Sequence, residues 1–281
     1  METATKTLNY NAIAEGISEW LTHYANRAGQ KGFTLGVSGG IDSAVVSTLC
    51  AKTGLPLLIL ELPIHQGEGE VTRGKKHIQW LKDNFSNVTS MEIDLTEAYD
   101  VLYRTYADNS KGVFGMISSE SFDFSMANTR SRLRMATLYQ YAGMNGLLVA
   151  GTGNKVEDFG IGFYTKYGDG GVDISPIADL MKSEVYALGA ELGINNDILT
   201  AAPTDGLHTD GRTDEDQIGA TYDELEWAMK QHEVLSKITE PVEVDWTERQ
   251  EEVYGIYLNF HNSNKHKMEE IPVFDTSKFR K

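Results

Sequence analysis

A chain of 281 residues with a single cysteine, Cys50, can form no internal disulfide and no cysteine-built metal cluster. Cys50 falls on an expected helix after a glycine-rich loop, which reads as a packed side chain, not a reactive one. Long apolar runs are also missing. The longest, Leu55 to Leu62, is strand-sized, well short of the roughly 20 residues of a membrane-spanning helix. The N-terminus lacks the basic-then-apolar pattern of a secretory signal, so the expected location is cytoplasmic, with no membrane partner. Positive charge is scarce: 25 Lys and Arg face 41 Asp and Glu, a formal net charge of −16. Such a surface repels a phosphate backbone, so nucleic acid is not an expected partner. Any phosphate ligand has to be held locally, by backbone N–H groups, a metal ion and a few chosen cations. Two common nucleotide loops are absent as well. No GxxxxGK[ST] occurs, and no G-x-G-x-x-G follows a strand. Internal repeats and low-complexity segments are likewise missing.

What is present suits a buried core, since 41% of residues are hydrophobic. Helical spacing predicts helices over 7–29, 70–83, 96–106, 125–143, 179–192, 214–230 and 244–262, with a further apolar helix from Ala44 to Cys50. Short apolar runs predict strands at 33–37, 55–62, 88–95 and 147–150. Residues 107–124 and 160–172 read as loops, and the C-terminal tail as polar. Strands alternating with helices predict an α/β fold, a three-layer, mainly parallel sheet with helices on both faces. The expected organisation is one domain over 1–281, with a sheet core at about 33–200 and a helical C-terminal elaboration at about 201–281. Ligands of such sheets sit at the carboxyl ends of the strands, where the motifs fall.

The sharpest motif is Ser38-Gly39-Gly40-Ile41-Asp42-Ser43, directly after a strand. Two glycines allow close backbone approach to a ligand. The following helix offers free N–H groups and its positive dipole end to an anion, and Ser38 and Ser43 add hydroxyls. Asp42 would repel phosphate alone, so its presence points to Mg²⁺ bridging carboxylate and phosphates. A plain glycine turn with a capping Ser38 or Asp42 is the bland alternative. Glu157 also follows a strand end, so Asp42 and Glu157 are expected to share one Mg²⁺. Arg130 and Arg134 lie at i and i+4 on one helix face and read as a solvated basic face or as salt-bridge partners. The run Thr165 to Asp173 places three glycines in four residues beside a lysine and two aspartates, more than a solvent-exposed turn requires.

SGGIDS resembles the pyrophosphate loop of the N-type ATP pyrophosphatases, which cleave ATP to AMP and pyrophosphate and activate a carbonyl or carboxyl oxygen as an adenylate. Further segments resemble one branch, the NAD synthetases. They are Asn128-Thr129-Arg130-Ser131-Arg132-Leu133-Arg134-Met135, Gly151-Thr152 with Glu157, Thr165-Lys166-Tyr167-Gly168-Asp169-Gly170-Gly171-Val172-Asp173, Pro203-Thr204, Asp214 to Tyr222, and His266-Lys267. The agreement runs from about residue 33 to 272. It implies an adenine-nucleotide alpha-hydrolase-like fold and ATP-dependent amidation of nicotinic acid adenine dinucleotide by ammonia, giving NAD⁺, AMP and pyrophosphate.

The same resemblance assigns ATP contacts to Gly36, Val37, Ser38, Gly39, Gly40, Ile41, Asp42, Ser43, Thr152, Lys182 and Thr204. It assigns the deamido-dinucleotide to Arg132, Lys166, Asp173, His266 and Lys267, and the metal to Asp42 and Glu157. Asp169, acceptor-only when ionised, suits holding ammonium and taking its proton, so Asp169, Asp42 and Lys182 are the expected catalytic residues. Segments 107–124 and 204–213 are expected lids. About 30 residues precede the phosphate-loop strand, too few for a glutaminase domain. Free ammonia, or ammonia from a separate protein, is therefore expected, acting on a homodimer. Departures from the family pattern are Ile41 in place of Gln, Glu61 in place of an Arg near the adenine, one extra residue between Glu157 and Lys166, and an acidic Met268-Glu269-Glu270. Two competing readings are another N-type ATP pyrophosphatase with a different substrate, and a non-catalytic adenine-nucleotide sensor. The acidic charge argues against a tRNA substrate.

Overall fold

The computed structural model describes residues 8–66, 68–109, 117–204, 213–239 and 242–280. Four parallel strands form one sheet in the order β3-β2-β1-β4: β1 (Gly32–Gly36), β2 (Leu57–Glu61), β3 (Val88–Glu92) and β4 (Leu147–Val149). Phe33 pairs with Leu57 and Leu35 with Ile59. Because side chains alternate along a strand, Phe33, Leu35, Leu57 and Ile59 enter one core while Leu58, Leu60 and Val149 enter another. The first core is covered by α1 (Tyr10–Arg27), α2 (Ile41–Lys52) and α6 (Lys182–Glu191), through Leu21, Leu49, Val185 and Leu188. The second is covered by α5 (Ser119–Asn145), through Leu138 and Ala142. Each large side chain buried in this way contributes about 1.5–3 kcal/mol. The result is the expected three-layer architecture.

Helix α2 is buried almost throughout from Ile41 to Ala51, its Ser43, Ser47 and Thr48 hydroxyls bonded within the protein, as a helix without a solvated polar face must be. Beyond β2, α3 (Glu68–Asn84) and α4 (Thr96–Asp108) follow; α7 (Asn196–Leu199), α8 (Asp214–Ile218), α9 (Tyr222–Leu235) and α10 (Glu248–Met268) complete the chain. Among the described residues no helix is long and apolar enough to cross a membrane.

Several boundaries differ from the sequence expectations for local reasons. Helix α5 begins at Ser119, not 125, because Ser118 caps it by accepting from the Ser121 N–H. The helix expected over 214–230 is two helices. Gly219 closes α8 with φ of 85°, and Thr221 with Glu224 forms a capping box that opens α9. Helix α10 starts from its Thr247 cap and runs to Met268, past the expected end at 262. The tail is not uniformly polar, since Ile271, Val273, Phe274 and Phe279 stand exposed. Of the expected lids at 107–124 and 204–213, residues 110–116 and 205–212 lie outside the described residues, while residues 119–124 belong to α5 and not to a loop.

Between β4 and α6 the chain makes a π-helical turn, Val156–Ile161. Bonding from i to i+5 takes one more residue per turn than an α-helix. The turn packs against α9 and α10 through Val156, Ile161, Leu225, Met229 and Tyr257.

Candidate active site

Strand order reverses at β1: β2 and β3 lie on one side and β4 on the other. A crevice opens at such a switch point, beyond the carboxyl ends of the strands. Here it is a pocket of about 800 Å³. The loops after β1 and β4 form its floor, while α5, α8 and α10 supply walls.

The phosphate loop lies on the β1 side. Gly40 is the N-cap of α2 and no side chain caps the helix, so the first-turn N–H groups are offered to a ligand. Gly39 has φ of 89°, a conformation costly for any residue with a Cβ. The Ser43 hydroxyl donates to the Gly40 carbonyl at 3.0 Å, and the Ser38 hydroxyl accepts from the Gly40 N–H at 3.3 Å. These bonds shape the loop. The Ile41 side chain points away, into the core against Gly189.

Asp42 and Glu157 meet through one ammonium. Lys182 Nζ is 2.6 Å from Asp42 Oδ2 and 2.9 Å from Glu157 Oε1, with the lysine side chain only 3% exposed. Asn154 Nδ2 donates to Asp42 Oδ1 at 3.1 Å. The Tyr222 hydroxyl donates to Glu157 Oε1 at 2.6 Å and lies 3.2 Å from Asp214 Oδ2. Burial raises the Asp42 pKa, and Lys182 only partly offsets it. For Glu157 burial is outweighed by Lys182, Tyr222 and Asn154 acting together, so its pKa falls. Burial works against the charge on Lys182, yet the two carboxylates raise its pKa and keep it an ammonium. The trio faces the pocket. A single cation already touches both carboxylates, and their hard oxygens suit a divalent ion such as Mg²⁺. Asp42 and Glu157 are thus the residues that could hold a metal, although Lys182 now stands between them and, among the described residues, no three His, Cys, Asp or Glu are grouped as metal ligands.

On the opposite side Asp169 accepts from the Ser131 hydroxyl at 2.7 Å and from the Thr165 N–H at 3.0 Å. Solvent reaches it from the pocket, while burial of its carboxyl, opposed by these hydrogen bonds, raises its pKa. A Cβ at Gly168 would lie 2.3 Å from the Ser131 hydroxyl, so that glycine lets the loop close onto α5. Asp158 also lines the pocket. Burial, followed by the charges of Glu157, Asp169 and Asp42, pushes its pKa up to about 8. Lys267 donates to the Tyr164 carbonyl at 2.8 Å and sits over that ring.

Most sequence-assigned residues thus share one pocket. Gly36, Val37, Ser38, Gly40, Ile41, Asp42, Ser43, Thr152, Glu157, Asp169, Lys182, Thr204 and Lys267 all line it. Gly39 is buried behind the lining. Four others lie elsewhere. Lys166 donates to the His266 carbonyl at 2.7 Å, with His266 itself exposed. Arg132 is exposed and reaches the Lys166 carbonyl at 3.4 Å. Asp173 accepts from the Val149 N–H at 2.8 Å and the Tyr139 hydroxyl at 3.0 Å, on the outer edge of the sheet.

The solvated basic face expected for Arg130 and Arg134 is corrected. Arg130 is buried, its guanidinium 5.1 Å from the Tyr99 ring centroid. Arg134 donates to the Leu62 carbonyl at 3.1 Å and to Gln66 at 2.7 Å, and lines the pocket. Asn154, Asp158, Ser131, Tyr222 and Arg73 had no assigned role in the sequence. Tyr222 and Ser131 lay inside recognised segments, and that was their only signal.

The profile of the NAD synthase family matches residues 13–271. The NH(3)-dependent NAD(+) synthetase of Finegoldia magna is 36% identical over 220 residues, 78% of this chain and 84% of that protein. Its counterpart in Alkaliphilus oremlandii is 39% identical over 220 residues, covering 77% and 84%. Among solved structures, NMN synthetase from Francisella tularensis matches with a TM-score of 0.78 and 29% identity, over 96% of this chain and all of that one. The NH3-dependent NAD synthetase from Campylobacter jejuni gives a TM-score of 0.71 at 22% identity, over 96% and 100%, a likeness of fold.

Proposed function

The chain belongs to the NAD synthase family, and we propose that its pocket amidates nicotinic acid adenine dinucleotide with ammonia and ATP, as one functional unit over 1–281. The observation that carries this is the Asp42–Lys182–Glu157 bridge, set beside an uncapped helix N-terminus and sharing its pocket with Asp169. ATP phosphates lie on the Ser38–Ser43 loop. The nicotinate carboxylate attacks the α-phosphorus, pyrophosphate leaves, and an acyl-adenylate forms. Backbone N–H groups and Lys182 offset the charge that builds on the phosphoryl oxygens. Asp42 and Glu157 would hold Mg²⁺, which when bound neutralises phosphate charge. Ammonia then attacks the carbonyl, AMP departs, and Asp169 takes the surplus proton. Arg132, Lys166, Asp173, His266 and Lys267 hold the dinucleotide.

The chain is read as a cytoplasmic homodimer supplied with free ammonia, or with ammonia from a separate protein. Exposed Val101, Tyr106, Ile117 and Phe124 on and beside α4 and α5 support an interface there. The outward position of Arg132 and Asp173 suits a dinucleotide end held at such a boundary.

The likeness to the Francisella NMN synthetase favours a second reading, in which the acid is the nicotinate mononucleotide. One experiment separates the readings. The purified protein is incubated with Mg·ATP, either acid, and either NH₄Cl or glutamine, while AMP and the amide are assayed together. NAD⁺ formed with NH₄Cl in step with AMP supports the dinucleotide reading. Faster turnover of the mononucleotide replaces it with the second. Equal turnover with glutamine removes the ammonia-only claim. ATP binding without AMP release under any condition leaves the sensor.

A further inference from the structure

Among the described residues, four cationic side chains line the pocket: Arg73, Arg134, Lys182 and Lys267. Lys182 lies between Asp42 and Glu157, Arg134 is bonded to Leu62 and Gln66, and Lys267 is held by Tyr164. Arg73 differs in where it stands. It is half-buried in the second turn of α3, and its Nε reaches the carbonyl of Gly39 at 3.4 Å. Gly39 is the middle of the phosphate loop. Helix α3 runs directly over that loop, because a Cβ at the neighbouring Gly74 would lie 3.5 Å from the Val37 carbonyl oxygen and 3.6 Å from the Gly39 nitrogen.

Polyphosphate brought to this loop meets a pocket rich in carboxylates. Glu61, Glu92 and Asp94 line it on the β2 and β3 side, in addition to those around Lys182. The backbone N–H groups of the loop carry only partial charge, so a full cation on the loop's open side changes the balance most. A guanidinium has five donors in a planar fork that matches phosphate oxygens, and one weak bond to a carbonyl takes up little of that capacity.

We propose that Arg73 is a phosphate-binding residue of this pocket, closing on the β- and γ-phosphates of ATP from the α3 side and holding pyrophosphate as the leaving group. This rests on the adenylating reading above.

Calorimetry tests it with Mg²⁺ present, using inorganic pyrophosphate and, without any acid substrate, ATP. Arg73→Met is expected to weaken both by about tenfold or more, the usual size of a charge-assisted contact, and Arg73→Lys to recover part of the loss. Lys76→Met serves as the control on the same helix. Lys76 is exposed and pairs with Asp197, so both affinities should stay at the parent value. Parent-like binding by Arg73→Met overturns the proposal and leaves the adenylating reading standing. If the parent protein binds neither ligand, both fall. Should Arg73→Met not fold, Arg73→Gln decides by the same two outcomes, because it keeps a donor for Gly39 but carries no charge.

Discussion

The two walls of the pocket are built in different ways. On the sheet side the phosphate loop is six consecutive residues, Ser38 to Ser43, running from the end of β1 into the first turn of α2 and shaped by its own short hydrogen bonds. On the helical side the functional groups are also held by side chains from far away. Asp169 is fixed by Ser131, 38 positions off, and Glu157 by Tyr222, 65 positions off. Phosphate can be gripped by backbone N–H groups, which any sequence of the right conformation supplies. Positioning an acceptor for ammonia takes specific side chains and a second layer of bonds to orient them. The first wall is therefore a local motif, and the second is a product of the tertiary fold.

The sharpest way to break the contrast is at Asp42, where the walls join through Lys182. Asp42→Ala removes one of the two carboxylates around Lys182 and should lower amide formation by roughly 10²–10³-fold, read from initial rates of AMP and NAD⁺. Loss of half of a buried charged pair should also lower the melting temperature.

A smaller effect is expected from the helical side alone. Tyr222→Phe deletes one hydrogen bond to Glu157 and leaves the ring over Lys182 in place. A bond to a charged group is worth about 1.5–3 kcal/mol, so the Mg²⁺ concentration for half-maximal rate should rise by about tenfold or more, with the phosphate loop untouched. An unchanged Mg²⁺ dependence would mean that Glu157 is positioned without Tyr222.

The weakest effect concerns stability. The Asp158 pKa, about 8 in the folded protein against an ordinary 3.8, is raised. Between those values the folded state binds more protons than the unfolded chain, so stability from this residue is present below the lower value and is lost as pH rises towards 8. Asp158→Asn should accordingly gain more melting temperature at pH 9 than at pH 5. A gain independent of pH would contradict the burial of this carboxyl.

The same contrast explains what could be read from the sequence. The parallel sheet, its helices and the SGGIDS loop were legible because period-two and helical patterns, and a contiguous motif, are local signals. Asp42, Glu157 and Lys182 could be named individually, but not their order in space, since a lysine 140 positions from Asp42 only meets it once α6 packs on α2. Arg130 was misjudged because its spacing with Arg134 describes a helix face and not what covers it. Tyr99 does so from α4. The π-helical turn at Val156–Ile161 had no local signal, since it packs against α9 and α10 from far along the chain.

If the two walls serve two half-reactions, they can be separated by exchange of labelled pyrophosphate into ATP, measured with the acid substrate present and ammonia absent. Asp169→Asn should retain this exchange close to the parent rate while losing NAD⁺ formation by roughly a hundredfold, and Asp42→Asn should lose both. Equal loss of exchange in Asp169→Asn would show that Asp169 serves adenylate formation as well, and the division between the walls would be wrong.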